Sequence, residues 1–486
     1  MKQQAFNPYL PSYEYVPDGE PHVFGERLYV FGSHDAFNGE GFCVKNYVCW
    51  SASVDDLGNW RYEGVIYDRL SDPLNKKGNQ FMNAPDVCHG PDGRFYLYYQ
   101  LHREIVVSVA VADRPEGPYK FYGHVKHPDG TLYGKRKGDA YTFDPAVLRD
   151  DDGRIYLYTG FSPDKGGFRL LLKMRGGAID GGCVVELEPD MLTVKGRQYD
   201  TVPGPIQARG TRYEGHGFFE ASSIRKINGL YYLVYSSILS HELCYATSRT
   251  PVGPWEYGGT IVSIGDIGLP DVTEKNARNF TGNTHGGMVQ LNGQWCIFYH
   301  RQTNRQKCAR QGCAESITIA PDGSISQTEL TSCGLNGAPL CGSGTYEARI
   351  ACNLWGAKGT YPYVQLHHKE SEYPYFTQGG ADREDNPNQY IANLKDGAVA
   401  GFKYFTFDGE DNISVTLRGN GEGVLEIQDD LNAPPAARIQ ITSCGSWKDF
   451  SSSMAPLHGR CALFFVFRGT GAMDFQRFTL SKNGQE

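Results

Sequence analysis

The sequence predicts an all-β protein, a five-bladed β-propeller over residues 1–332 followed by a β-sandwich of the jelly-roll type over residues 345–486. Three observations carry this. Short apolar strands alternate with Gly, Pro, Asn and Asp turn signals, and no long segment has the 3.6-residue period of an amphipathic helix. One strand pattern returns five times in the first two thirds of the chain. Past residue 345 that pattern stops and a different alternating texture begins.

The repeated strand reads GERLYVFGS from Gly25, GRFYLYYQ from Gly93, GRIYLYTG from Gly153, GLYYLVYS from Gly229 and GQWCIFYH from Gly293. Each copy is a turn glycine, one or two polar residues, then an alternating aromatic and aliphatic strand. The spacings of 68, 60, 76 and 64 residues leave room for one four-stranded blade plus loops. A second echo joins WSASVDDLGNWRYEG (50–64), VAVADRPEGPYKFYG (109–123) and YATSRTPVGPWEYGG (245–259), a later strand and aromatic hairpin of blades one, two and four. The ring closes near residue 330, and a connector, CGLNGAPLCGSG (333–344), leads out of it. Beyond it NISVTLRG, GVLEIQ, ARIQITS and CALFFVFRG read as sandwich strands.

Composition bounds the function. A chain of 486 residues exceeds one ordinary core, which favours two domains. The net charge of −8 offers no basic excess for nucleic acid. No apolar window is long enough for a membrane-spanning helix. The opening MKQQAFNPYLPSYEY lacks the apolar segment of a secretory signal. The thirteen cysteines are odd in number, scattered and without a CxxC pair. Together these predict reduced thiols in a cytoplasm, not a disulfide framework. Cys and His do not cluster at zinc-ligand spacing either.

The chemistry sits just upstream of the repeated strand. Asp18 lies seven residues before Gly25, Asp86 seven before Gly93, Asp144 nine before Gly153, Glu220 nine before Gly229, and His285 eight before Gly293. The first strand of each blade lines the channel of a propeller, so these positions ring one end of it. Carboxylates crowded together cannot all ionise at ordinary pKa values. One is pushed up and serves as an acid while another stays charged as a base, the pairing that cleaves a glycosidic bond. Phe218 and Phe219 precede Glu220 and are placed to desolvate it. The ring contains no Lys or Arg for a phosphate. Asp86, after Ala84-Pro85, reads as structural, with Asn83 and Ala84 lining the pocket. His34 and Asp35 read equally as site or turn residues, and Asp150, Asp151 and Asp152 as a solvated turn.

These stretches resemble glycoside hydrolase family 43. The carrying residues are NPYLPSYEYVPDGEPHVFGERLYVFGSHD, APDV, FDPAVLRDDDGRIYLYTG, FFEASSIRKINGLYYLVYS and HGGMVQLNGQWCIFYHR, in that order over about residues 6–330. The resemblance implies an inverting exo-glycosidase that removes terminal β-D-xylosyl or α-L-arabinofuranosyl residues from plant-derived oligosaccharides. The alternatives are a β-D-galactofuranosidase and a non-catalytic carbohydrate-binding protein. It implies Asp18 as general base, Glu220 as general acid, and Asp144 as the group that tunes and orients Glu220. It implies that His285 supports the channel and touches a bound ion or water, with calcium the ion suited to oxygen donors, and that Arg310, in CARQGCAE, lies against the sugar. The family's Asp-Pro at the base is Asp18-Gly19 here, with Glu20 two residues on; the offset to Gly25 selects Asp18. The implied partner is a small oligosaccharide, with neither nucleic acid nor membrane.

The stretch from NISVTLRG to CALFFVFRG, followed by MDFQRFTL, resembles a family 6 carbohydrate-binding module. That resemblance implies sugar stacking on Trp447 and Phe450, while Tyr346-Glu347-Ala348 matches the usual acidic first strand only loosely. The competing expectation is that this domain braces the propeller and shapes the pocket rim, with residues 372–385 reaching toward the active-site mouth.

Overall fold

The structure is a computed structural model that describes residues 3–164, 169, 179–360, 372–383 and 388–482. It has the predicted all-β architecture. Blade one is β1 (Glu20–Phe24), β2 (Arg27–Phe31), β3 (Tyr47–Ser53) and β4 (Asp56–Tyr67). Blade two is β5 (Asp86–His89), β6 (Phe95–Gln100), β7 (Val107–Ala112) and β8 (Lys120–His124). Blade three is β9 (Ala146–Arg149), β10 (Ile155–Gly160), β11 (Gly181–Leu187) and β12 (Val194–Pro203). Blade four is β13 (Phe218–Ile227), β14 (Leu230–Ser237), β15 (Glu242–Ser248) and β16 (Glu256–Ser263). Blade five is β17 (Met288–Leu291), β18 (Gln294–Thr303) and β19 (Gln306–Ile317). Each blade is an antiparallel meander in chain order.

The glycine that opens each repeat has a steric cause. Gly25, Gly93, Gly153, Gly229 and Gly293 have φ between 62° and 85°, in the hairpin turn before the second strand of the blade. A side chain there would be strained. The strand that follows is apolar on both faces because both faces are covered. In β2, Leu28 and Val30 join a core with Val289 and Phe298 of blade five, while Tyr29 and Phe31 join one with Leu97 and Tyr99 of blade two. Similar cores fill the three remaining gaps between blades. Burying one such side chain stabilises the fold by about 1.5–3 kcal/mol.

Blade five is completed by the N-terminal segment. Tyr9 N–H donates to Gly312 O at 3.2 Å, and the Asn7 amide exchanges hydrogen bonds with Ala314 at 2.8 and 2.9 Å. On the channel side Gly19 forms a parallel bridge with Gly286, so the first and last inner strands lie side by side. The Asp150 turn differs from its expectation. Asp150 is buried and pairs with Lys226 at 2.6 Å and with the Tyr231 hydroxyl, because β9 and β13 are neighbours in the ring.

The rest of the chain is a sandwich. Its strands are β20 (Leu340–Cys341), β21 (Gly344–Glu347), β22 (Asn353–Trp355), β23 (Tyr375–Thr377), β24 (Tyr390–Leu394), β25 (Val399–Gly419), β26 (Glu422–Gln428), β27 (Ala437–Ile441), β28 (Cys444–Thr470) and β29 (Met473–Ser481). Strand β27 shows a half-wet pattern that β2 lacks, with Ala437, Ile439 and Ile441 buried and Arg438 and Gln440 exposed. Its core includes Phe402, Phe405, Phe465, Phe475 and Phe478.

The sandwich is fastened to the propeller by buried polar groups. Arg301 Nη1 and Nη2 donate to Ala351 O at 2.9 Å and Arg349 O at 2.8 Å, and its guanidinium lies 3.7 Å from the centre of the Phe376 ring. Lys403 Nζ reaches Glu329 at 3.2 Å and Asp266 at 3.4 Å. The segment around 375–382 grips blade one. Tyr15 hydroxyl donates to Gln378 Oε1 at 2.7 Å, Phe37 N–H to Asp382 Oδ1 at 3.0 Å, and Lys45 Nζ stands 2.8 Å from Asp382 Oδ2. Residues 384–385 of the segment singled out in the sequence lie outside the described residues. Trp447 packs edge-on against Tyr390, and Arg418 covers one face of its ring at 4.4 Å.

Candidate active site

Three acids gather at one end of the channel in unusual backbone conformations. Asp18, just before β1, has φ 56°; Asp144, just before β9, has φ 46°; Ala221, next to Glu220 in β13, has φ 69°. Non-glycine residues held there cost about 1–3 kcal/mol each, and such strain collects at functional sites. In β13 the cause is visible. Phe218 pairs with Ser237, but Glu220 pairs with Ser236, and pairing slips again before Ser223. The bulge breaks the two-residue alternation and re-aims Glu220.

The residues just before two of these acids also meet. Phe143 precedes Asp144 and Phe219 precedes Glu220. Their rings lie 5.0 and 5.2 Å from that of Phe161, in a cluster with Ile105, Tyr141 and Ile179. Phe218 turns the other way, into the core between blades three and four. Phe219 therefore lies at this apolar wall and Phe218 does not.

Asp18 is held by one cation, Arg310, and packs against the neutral ring of His300. Arg310 Nη1 donates to its Oδ1 at 2.8 Å. His300 Nδ1 accepts from Asp18 N–H at 3.2 Å and lies 3.3 Å from Oδ1. His300 Nε2 lies 2.8 Å from Asn283 O, which assigns its proton to Nε2. Burial alone would raise the Asp18 carboxyl. The Arg310 charge, with His300 and His285, outweighs that and holds it below the ordinary aspartate value. Burial pushes the His300 pKa down to about 3, so its ring is neutral.

Arg310 is itself fixed. Its Nε and Nη2 donate to Asp35 at 2.8 and 3.0 Å, a two-pronged pair, and its guanidinium lies 4.7 Å from the centre of the Phe42 ring. Asp35 also accepts from Cys43 N–H at 2.8 Å. His34 sits elsewhere, bonded to Glu14 at 2.9 Å and to Asn46 O.

The other two acids behave oppositely to Asp18. Burial, then the charge of Asp18, raises Glu220 to about 8. Burial, then the charges of Glu220 and Asp18, raises Asp144 well above the aspartate value. His285 Nδ1 lies 3.5 Å from Asp144 Oδ2, and burial lowers its pKa to about 4. The site thus sets one carboxyl below its ordinary value beside two raised above theirs, Glu220 to about 8, the separation that acid–base cleavage needs.

Asp86 belongs to the scaffold. Its Oδ1 lies 2.7 Å from His22 Nε2, and its Oδ2 accepts from Val147 N–H at 2.7 Å, so it joins blades one, two and three. Glu20 faces blade four, 2.6 Å from Arg225 and 2.9 Å from Ser223 Oγ. Asn83 and Ala84 are buried; the Asn83 amide donates to Gln100 at 3.2 Å and its carbonyl accepts from Tyr47. Gly19 follows Asp18 because a Cβ there would stand 2.8 Å from the Tyr9 hydroxyl. His300 was missed in the sequence. Its only signal was a polar residue ending the apolar run CIFYH.

The profile of the family described as Glycosyl hydrolases family 43 matches residues 15–325. A xylosidase/arabinosidase of Thermoclostridium stercorarium is 49% identical over 482 residues, 99% of each chain. A xylosidase/arabinosidase of Bacteroides ovatus is 30% identical over 321 residues, 60% of this chain and 87% of that one. Among solved structures, a β-xylosidase/α-arabinofuranosidase from a compost microbial metagenome, in complex with xylotriose and in a calcium-free form, superposes with a TM-score of 0.51. It is 26% identical and covers 67% of this chain and 98% of the other.

Proposed function

The chain belongs to glycosyl hydrolases family 43, and from that premise we propose that it is an inverting exo-glycosidase acting on terminal β-D-xylosyl and α-L-arabinofuranosyl residues. The observation that carries the acid–base assignment is the opposed titration of Asp18 and Glu220 in one buried cluster. Asp18, kept ionised by Arg310, takes a proton from the attacking water. Arg310 and His300 lie at Oδ1, and this reading gives Oδ2 to that water. Glu220, protonated below about pH 8, gives its proton to the departing oxygen. Asp144 is read as the group that orients Glu220, whose pKa burial and the charge of Asp18 raise. Arg310 contributes by orienting Asp18.

A structural calcium is a further part of this reading. His285 is neutral and lies among three acids, a setting rich in oxygen donors and so suited to a hard cation held partly through water. The sandwich is read as a brace, since one face of Trp447 is covered by Arg418 and the 375–382 segment grips blade one. Thirteen free thiols support a reducing, cytoplasmic setting.

The test is hydrolysis of p-nitrophenyl β-D-xylopyranoside, α-L-arabinofuranoside and β-D-galactofuranoside by the wild type and by Asp18→Asn and Glu220→Gln. Turnover of a pentoside, abolished in Asp18→Asn, with the inverted anomer as first product by NMR, supports the proposal. Turnover of the galactofuranoside alone, or retention of configuration, overturns it.

A further inference from the structure

Blade four carries a second cluster of ionisable groups, away from the channel acids. Strand β15 alternates its faces, so Glu242 and Cys244 share one side of it. The loop before β13 brings His216 over that side. His216 Nδ1 lies 2.6 Å from Glu242 Oε1, Cys244 Sγ lies 3.3 Å from the same oxygen, and Sγ lies 4.0 Å from Nδ1. We propose that His216, Glu242 and Cys244 form a binding site for a borderline-soft divalent cation of the Zn²⁺ class.

The donor set makes the choice of ion. One nitrogen, one oxygen and one sulfur lie 2.6–4.0 Å apart; they form the face of a tetrahedron around an ion at about 2.0–2.3 Å from each once the 2.6 Å hydrogen bond opens by under 1 Å. A thiolate and an imidazole favour zinc and select against calcium and magnesium, which take oxygen. The ligands are already oriented from behind. Glu242 Oε1 accepts from Ser237 Oγ at 2.6 Å and its Oε2 from Thr260 Oγ1 at 2.8 Å. Tyr257 stacks on the His216 ring at 5.4 Å. Such outer partners fix ring and carboxylate geometry in metal sites. The His216 side chain is 34% exposed while that of Glu242 is 4% exposed, so the cluster opens to solvent on one edge. That edge supplies the path in and a fourth position for water.

Binding is a proton exchange without redox change. The ion takes the place of the Cys244 thiol proton, which leaves to solvent; the His216 Nδ1 proton leaves where the ring is imidazolium and moves to Nε2 where it is neutral. The thiol must give up its proton, so affinity strengthens as pH rises. A metal here ties the loop that enters β13, four residues before Glu220, to β15.

A second group of donors, Glu20, His22 and Asp86, lies equally close together. There the positive partners are already in place, with Arg225 at 2.6 Å from Glu20 and Val147 N–H on Asp86. It carries no similar need.

The test is titration of the full-length, metal-stripped protein with Co²⁺ as a spectroscopic probe. One equivalent should give thiolate-to-cobalt charge-transfer absorption in the near ultraviolet, and Zn²⁺ should displace it. Zn²⁺ should also raise the Tm of the wild type. Both effects should vanish in His216→Gln and in Cys244→Ser, with the metal-free variants melting cooperatively. If buried Cys244→Ser fails to fold, the partly exposed His216→Gln decides. Absence of the band at one equivalent overturns the proposal, as does a band of full strength in either variant, which would assign it to another of the thirteen thiols.

Discussion

Arg310 Nη1 stands 2.8 Å from Asp18 Oδ1 across 292 residues of chain, while the opposite edge of the same guanidinium is clamped by Asp35. The charge of the proposed base is therefore set from outside its own strand. Arg310→Lys keeps a cation but loses the planar fork that engages both carboxylates at once. We expect kcat/KM to fall about 100-fold, as for a misplaced catalytic group, and the acid limb of the pH profile to move up. An unmoved acid limb would detach Asp18 from Arg310.

The pH profile of kcat/KM should be bell-shaped. Below the depressed Asp18 pKa the base takes up a proton and activity falls. Above about 8 Glu220 loses its proton and the acid is gone. Stopped assays from pH 3 to 10 on an oligosaccharide without an activated leaving group give both limbs. An alkaline limb near pH 5 would contradict the geometry.

Glu220→Gln should lose activity yet gain stability. The folded-state pKa of Glu220 is raised, so its contribution to folding is full below about 4.5 and is lost as pH rises through about 8. Glutamine has no such loss. The variant's advantage should grow between pH 4.5 and 8 to about 1–2 kcal/mol, read by thermal melting at several pH values. A variant less stable at pH 8 would count against a strained acid.

Asp86→Asn tests the opposite kind of residue. The amide would face the Val147 and Val87 N–H groups that the carboxylate accepts from, and lost or clashing bonds of this kind cost about 1–3 kcal/mol. Denaturant melts should show that loss, while the two limbs of the pH profile stay where they are.

Asp382→Ala removes the sandwich's hold on Phe37 N–H and Lys45. The loop it releases carries Asp35 at one end and Cys43, the Asp35 donor, near the other. We expect about 1 kcal/mol of lost stability and a higher KM, with the Lys45→Ala variant alike in both. Full activity in both variants would make the sandwich a passenger.

The propeller was legible because its signals are local. A turn that demands glycine, followed by a strand covered on both faces, writes one pattern of eight or nine residues five times. The offsets from Gly25, Gly153 and Gly229 also pointed to Asp18, Asp144 and Glu220, since the first strand of a blade is fixed relative to its turn. Long-range partnerships were not legible. Nothing near Arg310 in the sequence announces Asp35, and nothing near His300 announces Asp18. The bulge at Glu220 leaves no letter pattern, because alanine at φ 69° is a strain imposed by the surroundings. The Arg418 cover over Trp447 was hidden for the same reason, the two lying 29 positions apart.

The closure of blade five by Asn7 and Tyr9 also has a meaning for biosynthesis. A ribosome releases Asp18 before the blades and Arg310 only after nearly the whole ring. Until then the channel end holds Asp18, Asp144 and Glu220 without Arg310, and the first segment has no edge to pair with. Partial products of translation are thus inert toward substrate and lack a seam. The ring acquires its chemistry and its mechanical integrity in one late event, when the ends of the propeller chain meet.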